Sequence, residues 1–162
     1  MTVRVGFVGC GLIAGFHAAG LRPVGDASIT AVVDVDETRA RSFADAHEAT
    51  VAASVDEMLA HVDAVYVTTW TAAHPEIVTA VAAAGLPVFC EKPLGVDLAT
   101  ARAMQATVDG AGITNQVGLV LRSSPAFRWL RHEVRSGTHG APMSMVFRDC
   151  LLYTSDAADE RS

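Results

Sequence analysis

Lys92 is the residue best suited to proton chemistry, because it is the single lysine in a chain that otherwise uses eleven arginines. A lysine can hold a hydroxyl or carbonyl oxygen and relay a proton when burial or a neighbouring positive charge favours its neutral form. Arginine stays charged and cannot do this. The lysine stands in Glu91-Lys92-Pro93, where the proline biases the residue before it toward an extended backbone. A Lys-Pro pair taken alone reads equally well as a solvated loop, so its weight depends on what shares its edge of the fold.

The partner motif is Gly9-Cys10-Gly11-Leu12-Ile13-Ala14, a G-x-G-x-x-A run placed between an apolar strand pattern and a helical one. In that setting the first glycine permits a tight turn, the second permits close approach of a pyrophosphate to a helix N-terminus, and the alanine permits close helix–strand packing. Gly9, Gly11, Leu12 and Ile13 are therefore candidate dinucleotide contacts. Asp34 follows Ala14 by about 20 residues at the end of the second strand pattern, the spacing of an acid that accepts from the adenosine ribose and repels a 2′-phosphate. That favours NAD; Arg39 nearby keeps NADP open, and Asp34 can also be read as a helix cap, although Asp36 is better placed for that. Thr69, His74, Glu91 and Gln116 complete the candidate cofactor contacts. His74, just before Pro75, also reads as a cap, and Gln116 also reads as a strand residue bonded to its neighbour.

The elements that must position these groups alternate. Val3 to Val8 reads as a buried strand and Leu12 to Leu21 as a helix; a strand from Ser28 to Val33 precedes a helix capped by Asp36. A short strand near Ala49 to Ala52 leads to Ser54 and Glu57, spaced as a capping box, and Ala64 to Thr68 is a buried strand. Pro75 opens a helix that stops at Gly85, before a strand from Leu86 to Cys90. Asp97 caps a helix with Gly110 beyond its end, and a strand runs from Ile113 to about Leu121. Largely unbroken apolar strands joined by helices predict a doubly wound parallel α/β sheet, with residues 1–121 as a dinucleotide-binding Rossmann domain. Both Lys92 and the glycine turn then lie at the carboxyl edge of the sheet, where ligands of open α/β folds bind. Pro125 to Arg135 reads as a helix and Pro142 to Asp149 as a strand, so residues 122–149 are expected to begin a second α+β domain.

Composition narrows the function classes. Half the chain is apolar, yet no run reaches the roughly 18 apolar residues a membrane span needs. The start shows no signal-peptide pattern, so a cytoplasmic location is expected. Cys10, Cys90 and Cys150 lack metal-ligand or disulfide spacing, and the sequence holds no metal constellation. The net charge of −6 is not arranged in blocks, and Arg128, Trp129, Arg131 and Arg135 read as one solvated helix face. Neither a nucleic acid nor a membrane is therefore expected as a partner; a small molecule is.

The glycine fingerprint, Asp34, the segment from Thr69 through His74 and Glu91-Lys92-Pro93-Leu94-Gly95 together resemble the Gfo/Idh/MocA oxidoreductases, from Val3 to about Asp149. The resemblance implies an NAD- or NADP-dependent dehydrogenase acting on sugars, inositols or related polyols, a homo-oligomeric whole protein, and Lys92 at the reacting hydroxyl. A non-catalytic NAD-binding regulator of the same architecture is the alternative. Trp70 departs from the family, which often has proline there. The resemblance also implies a larger C-terminal domain that supplies an Asp and a His; this chain carries only the opening of that domain, and turnover by the chain alone is not expected. Residues 150–162 are abruptly polar and acidic, and Cys150 to Glu160 resembles a translated sequencing-library adapter, so that tail is read as foreign to the fold.

Overall fold

The structure is a computed structural model and describes residues 2–146. Its order is β1 (Val3–Val8), α1 (Leu12–Leu21), β2 (Ala27–Val33), α2 (Glu37–His47), β3 (Thr50–Val51), α3 (Val55–Leu59), β4 (Ala64–Val67), a 3₁₀ turn over Thr71–Ala73, α4 (His74–Ala83), β5 (Val88–Cys90), α5 (Leu98–Ala111), β6 (Asn115–Val117), a second 3₁₀ turn over Val120–Ser123, and α6 (Pro125–Ser136). Among the described residues the strands form one six-stranded sheet in the order β3-β2-β1-β4-β5-β6, and all five pairings are parallel. Strand order reverses at β1, so a crevice opens beyond the carboxyl ends of β1 and β4.

Apolarity on both faces of the strands has a direct structural consequence. One core cluster, around Val8, Met58, Val65, Val67, Val78, Val81 and Met104, lies under α3, α4 and α5. A second joins Phe7, Ala14, Ala18, Val32 and Phe43 under α1 and α2. Across that second face Phe7, Tyr66 and Phe89 occupy one rung of the sheet, with ring centroids 4.9 Å and 4.7 Å apart in stacked geometry. Stacked rings on three adjacent strands set the floor on which α1 rests. Arg4 on β1 forks onto Asp63 just before β4 at 2.7 and 3.0 Å, and this pairing holds the Asp63 carboxyl down at about 2.

The helix ends follow their side chains. Asp36 accepts from the Arg39 N–H at 3.0 Å and Asp97 from the Thr100 N–H at 2.7 Å, which satisfies donors that the first turn leaves open. Asp36→Ala is expected to cost about 1 kcal/mol, read as a lower urea midpoint at unchanged slope.

Several boundaries differ from the sequence expectation. The last strand is confined to Asn115–Val117 and does not continue to Leu121, because Leu119 N–H turns back onto Val117 O at 2.7 Å and the chain enters a 3₁₀ turn. α5 runs through Gly110 and ends instead at Gly112, in the left-handed region at φ 64°. The Ser54 hydroxyl accepts from Glu57 N–H at 3.1 Å, but Glu57 reaches back to Ala53 N–H, one residue before the expected donor. Of the strand expected over Pro142 to Asp149, residues 142–146 are not in strand conformation, and the rest lies outside the described residues, as does the tail from Cys150.

The chain divides into two compact units, the first ending at Leu119 and the second starting at Val120. Within the second, α6 turns Phe127, Leu130 and Glu133 to its less exposed side and leaves Trp129 64% exposed.

Candidate functional site

The glycine turn is built by close approach. Gly9 has φ 89°, and a Cβ there would stand 2.9 Å from the carbonyl carbon and oxygen of Thr68 and from Thr69 N. Thr68 follows β4, so only a residue without a side chain lets the β1 turn lie against that strand's end. The contact is locked by Thr68 N–H donating to Val8 O at 2.9 Å and Thr68 Oγ1 donating to Gly9 O at 2.7 Å. Gly11 is the N-cap of α1 and makes no side-chain cap bond; a Cβ there would enter open space. The space beside Gly11 at the start of α1 is therefore open, the arrangement that receives a phosphate at a helix start. Leu12 and Ile13, the first helical residues, are exposed there, and Ala14 is fully buried against the sheet.

Asp34 is tied into this turn. Its Oδ2 accepts from Cys10 N–H at 2.7 Å, and its Oδ1 accepts from Asp36 N–H at 2.8 Å and from Arg39 Nε at 3.3 Å. Asp36 takes the cap of α2, leaving Asp34 as the acid at the turn. The Arg39 guanidinium is shared between two carboxylates, with Asp36 Oδ2 at 3.6 Å from its terminal nitrogen. A cleft of about 420 Å³ beside the turn is lined by Cys10, Asp36, Thr38, Arg39 and Phe43. The Cys10 thiol is pushed up to about 12, by burial first and then by the Asp34 charge, and Cys90 is likewise raised to about 12 by burial and Glu91; neither is a nucleophile at neutral pH.

On the other side of the crevice stands the β4–α4 loop. The Thr69 hydroxyl is buried and has no hydrogen-bond partner, an orphaned donor and acceptor within a turn of the glycine motif. Buried polar atoms are nearly always paired, so this one fits a ligand group. Trp70 adopts φ −66° and ψ 151°, an extended backbone that proline also adopts. His74 is neither a simple cap nor open to the crevice. It is 1% exposed, with Nε2 at 3.1 Å from Thr69 O and Nδ1 at 3.3 Å from Leu94 O, so its ring lies between the loop after β4 and the loop after β5 and donates to one of the two carbonyls in either neutral tautomer.

The β5 loop carries the lysine. The Lys92-Pro93 peptide is cis, a feature not anticipated from the sequence. The Lys92 side chain is exposed and makes no hydrogen bond or ion pair among the described residues, so this chain does not supply the burial envisaged for it. Glu91 is 9% exposed, and both its oxygens are engaged: Oε2 accepts from Lys92 N–H at 2.7 Å, and Oε1 lies 2.8 Å from His17 Nε2. Gln116 stands opposite Phe89 on β6, three strand spacings from β1, roughly 14 Å across the sheet. It is exposed and does not join the glycine turn.

His17, Thr68 and Gly118 were not anticipated as site residues. His17 was the findable one: with Ala14, Ala18 and Leu21 it falls on the inward stripe of α1, where a polar residue needs a partner. Gly118 was not findable, since its requirement is that a Cβ would stand 2.8 Å from Glu91 Oε1.

A glycine turn, an acid bonded to it, an open helix start and an orphaned hydroxyl together match a dinucleotide. The comparisons with known proteins agree with that geometry. The model of an oxidoreductase family with an NAD-binding Rossmann fold, GFO_IDH_MocA, matches residues 3–119. Myo-inositol dehydrogenase Hyg17 of Streptomyces leeuwenhoekii is 40% identical over 142 residues, covering 86% of this chain and 43% of that protein. The WlbA dehydrogenase of Bordetella pertussis, solved with NADH and UDP-GlcNAcA, superposes with a TM-score of 0.79 at 26% identity, over 85% of this chain and 43% of its own. Myo-inositol 2-dehydrogenase of Lactobacillus plantarum gives 0.76 at 25%, over 85% and 42%. The chain thus spans less than half the length of these relatives, and no helix among the described residues is long and apolar enough to cross a membrane. With its six parallel strands, glycine turn and residues 3–119 matching throughout, the chain belongs to the GFO_IDH_MocA oxidoreductases as their NAD-binding Rossmann domain.

Proposed function

We propose that this chain forms the cofactor half of an NAD-dependent dehydrogenase that oxidises a secondary alcohol of an inositol, sugar or related polyol. One observation carries the reading: the single lysine follows β5 at the same carboxyl edge as the glycine turn that follows β1, and His74 ties the loop beside it to the loop holding Thr69.

Bound there, the dinucleotide supplies the acceptor for the hydride leaving the carbinol carbon. The residues of this chain do the remaining work. Gly9 and Gly11 leave room for the pyrophosphate at the start of α1, and Asp34 presents a carboxylate to the ribose hydroxyls while steadying the turn through Cys10 N–H. The Thr69 hydroxyl offers the crevice an unused partner. Lys92, exposed and without a partner among the described residues, holds the reacting hydroxyl oxygen and, as the neutral amine, takes its proton and passes it to solvent as the carbonyl forms. Cys10 and Cys90, free thiols among the described residues, suit a reducing cytoplasmic setting.

Calorimetric titration of the chain with NAD⁺ and NADP⁺ tests the cofactor half. Because Arg39 is already shared by Asp34 and Asp36, a 2′-phosphate meets carboxylates more than free positive charge. NAD⁺ is expected to bind at least about tenfold more tightly, since facing like charges costs over a kcal/mol. Equal affinities would remove the ribose role assigned to Asp34. The chemistry itself is tested in the full-length protein by following NADH formation over a panel of inositols and sugars.

A further inference from the structure

We propose that His17 is a positioning residue for Lys92, acting through Glu91. The proposal rests on the reading of Lys92 as the proton-relaying group. His17 comes from α1, the helix that starts at the glycine turn, and Glu91 lies 74 residues further along the chain. Their side chains are 17% and 11% exposed and meet at 2.8 Å. The other Glu91 oxygen accepts Lys92 N–H at 2.7 Å, so the carboxylate is a bridge whose two ends are an imidazole on the cofactor helix and the main chain of the lysine.

Every side of this bridge is fixed. The His17 ring stands edge-on to Phe89 at 4.7 Å and tilted against Tyr66 at 5.5 Å, both part of the aromatic rung beneath α1. Gly118 presses on Glu91 from β6's end, where a methyl group would come within 2.8 Å of Oε1 and 3.0 Å of Cδ. Gly118 is itself pinned by its N–H to Cys90 O at 2.8 Å. An ionised Glu91 only accepts, and Nε2 of His17 then carries the hydrogen that Oε1 receives. A paired, mostly buried carboxylate bonded to the main chain of a lysine whose ammonium has no partner among the described residues has an evident use. It fixes where the lysine stem leaves the backbone, while the ammonium stays free for substrate. The same helix that receives the pyrophosphate thereby sets the register between cofactor and proton relay.

A chain with one lysine allows a direct test. Labelling with ¹⁵N-lysine gives a single backbone amide resonance, that of Lys92, in the 162-residue protein. An N–H bonded to a carboxylate lies downfield. His17→Phe, which keeps the ring contacts, is expected to move it upfield by more than its linewidth, toward the Glu91→Gln position, whereas His17→Gln, which retains a donor, keeps it near wild type. Gly118→Ala displaces the carboxylate with His17 intact and is expected to move the resonance as well; it decides the matter if His17→Phe does not fold. An unmoved resonance in folded His17→Phe or Gly118→Ala overturns the proposal, as does an equal shift in His17→Gln and His17→Phe.

In the full-length protein, His17→Phe is expected to lower kcat roughly 10- to 100-fold, the cost of a small misplacement, with NAD⁺ affinity within about threefold and His17→Gln recovering most of the rate. Parallel losses in both variants that track melting temperature would reduce His17 to a packing role. If Lys92→Met leaves turnover intact, the dehydrogenase reading fails while the amide result still stands on its own.

Discussion

Replacing Gly9 by alanine is expected to weaken NAD⁺ binding by roughly 100-fold or more, because it combines backbone strain with a collision that cannot relax. At φ 89° an L-residue is strained by about 1–3 kcal/mol whatever surrounds it. The added methyl would in addition sit 2.9 Å from three main-chain atoms of Thr68 and Thr69, and these belong to a strand end and loop already bonded to β1. Relief must come from parting the β1 turn from the β4 loop, which opens the crevice and carries away the Thr69 hydroxyl. Gly110 gives the control: it lies in α5 with nothing within 4 Å of its would-be Cβ. Gly110→Ala is expected to leave NAD⁺ affinity unchanged and to stabilise the fold by up to about 1 kcal/mol through helix propensity. Calorimetry for affinity and urea unfolding for stability separate the two effects; wild-type affinity in Gly9→Ala would refute the crevice.

Lys92→Met in the full-length protein should reduce kcat by about 10²–10⁴ while NAD⁺ affinity stays within about threefold, the signature of a group acting in proton transfer and not in holding the cofactor. The structure makes the substitution clean. The Lys92 ammonium has no partner among the described residues, so its loss orphans nothing, and the bond from Lys92 N–H to Glu91 is a main-chain bond that methionine retains. Lys92→Arg is expected to fail as well, since a guanidinium cannot release its proton. Single-turnover hydride transfer with bound NAD⁺ is the measurement; an active Lys92→Arg enzyme would show that charge alone suffices and that no proton passes through this side chain.

Much of the cofactor half was legible from residue order. β1 and α1 fall where the apolar patterns placed them, Asp36, Ser54 and Asp97 cap the helices they precede, and Asp34 lies against the glycine turn. Errors concentrated where neighbours in space overrode neighbours in sequence. Apolar residues past Val117 promised more strand, but the close passage of Gly118 over Glu91 and the turn at Leu119 end it. Gly110 looked like a stop, yet a glycine in a helix costs only about 1 kcal/mol, and α5 runs on to the left-handed Gly112. His74 looked like a cap or a ligand because its neighbour is Pro75; its ring instead joins two loops.

The difference is one of range. Backbone sterics and side-chain periodicity act within a turn of helix or a few strand residues, so sequence alone determines the strands, the caps, the glycine turn and the presence of an unusual lysine. Strand order is what brings residue 17 to residue 91 and Gly118 over the carboxylate between them. Helical spacing marks His17 as an inward polar residue, but that its partner is Glu91, 74 residues on, was decided only when the parallel sheet closed.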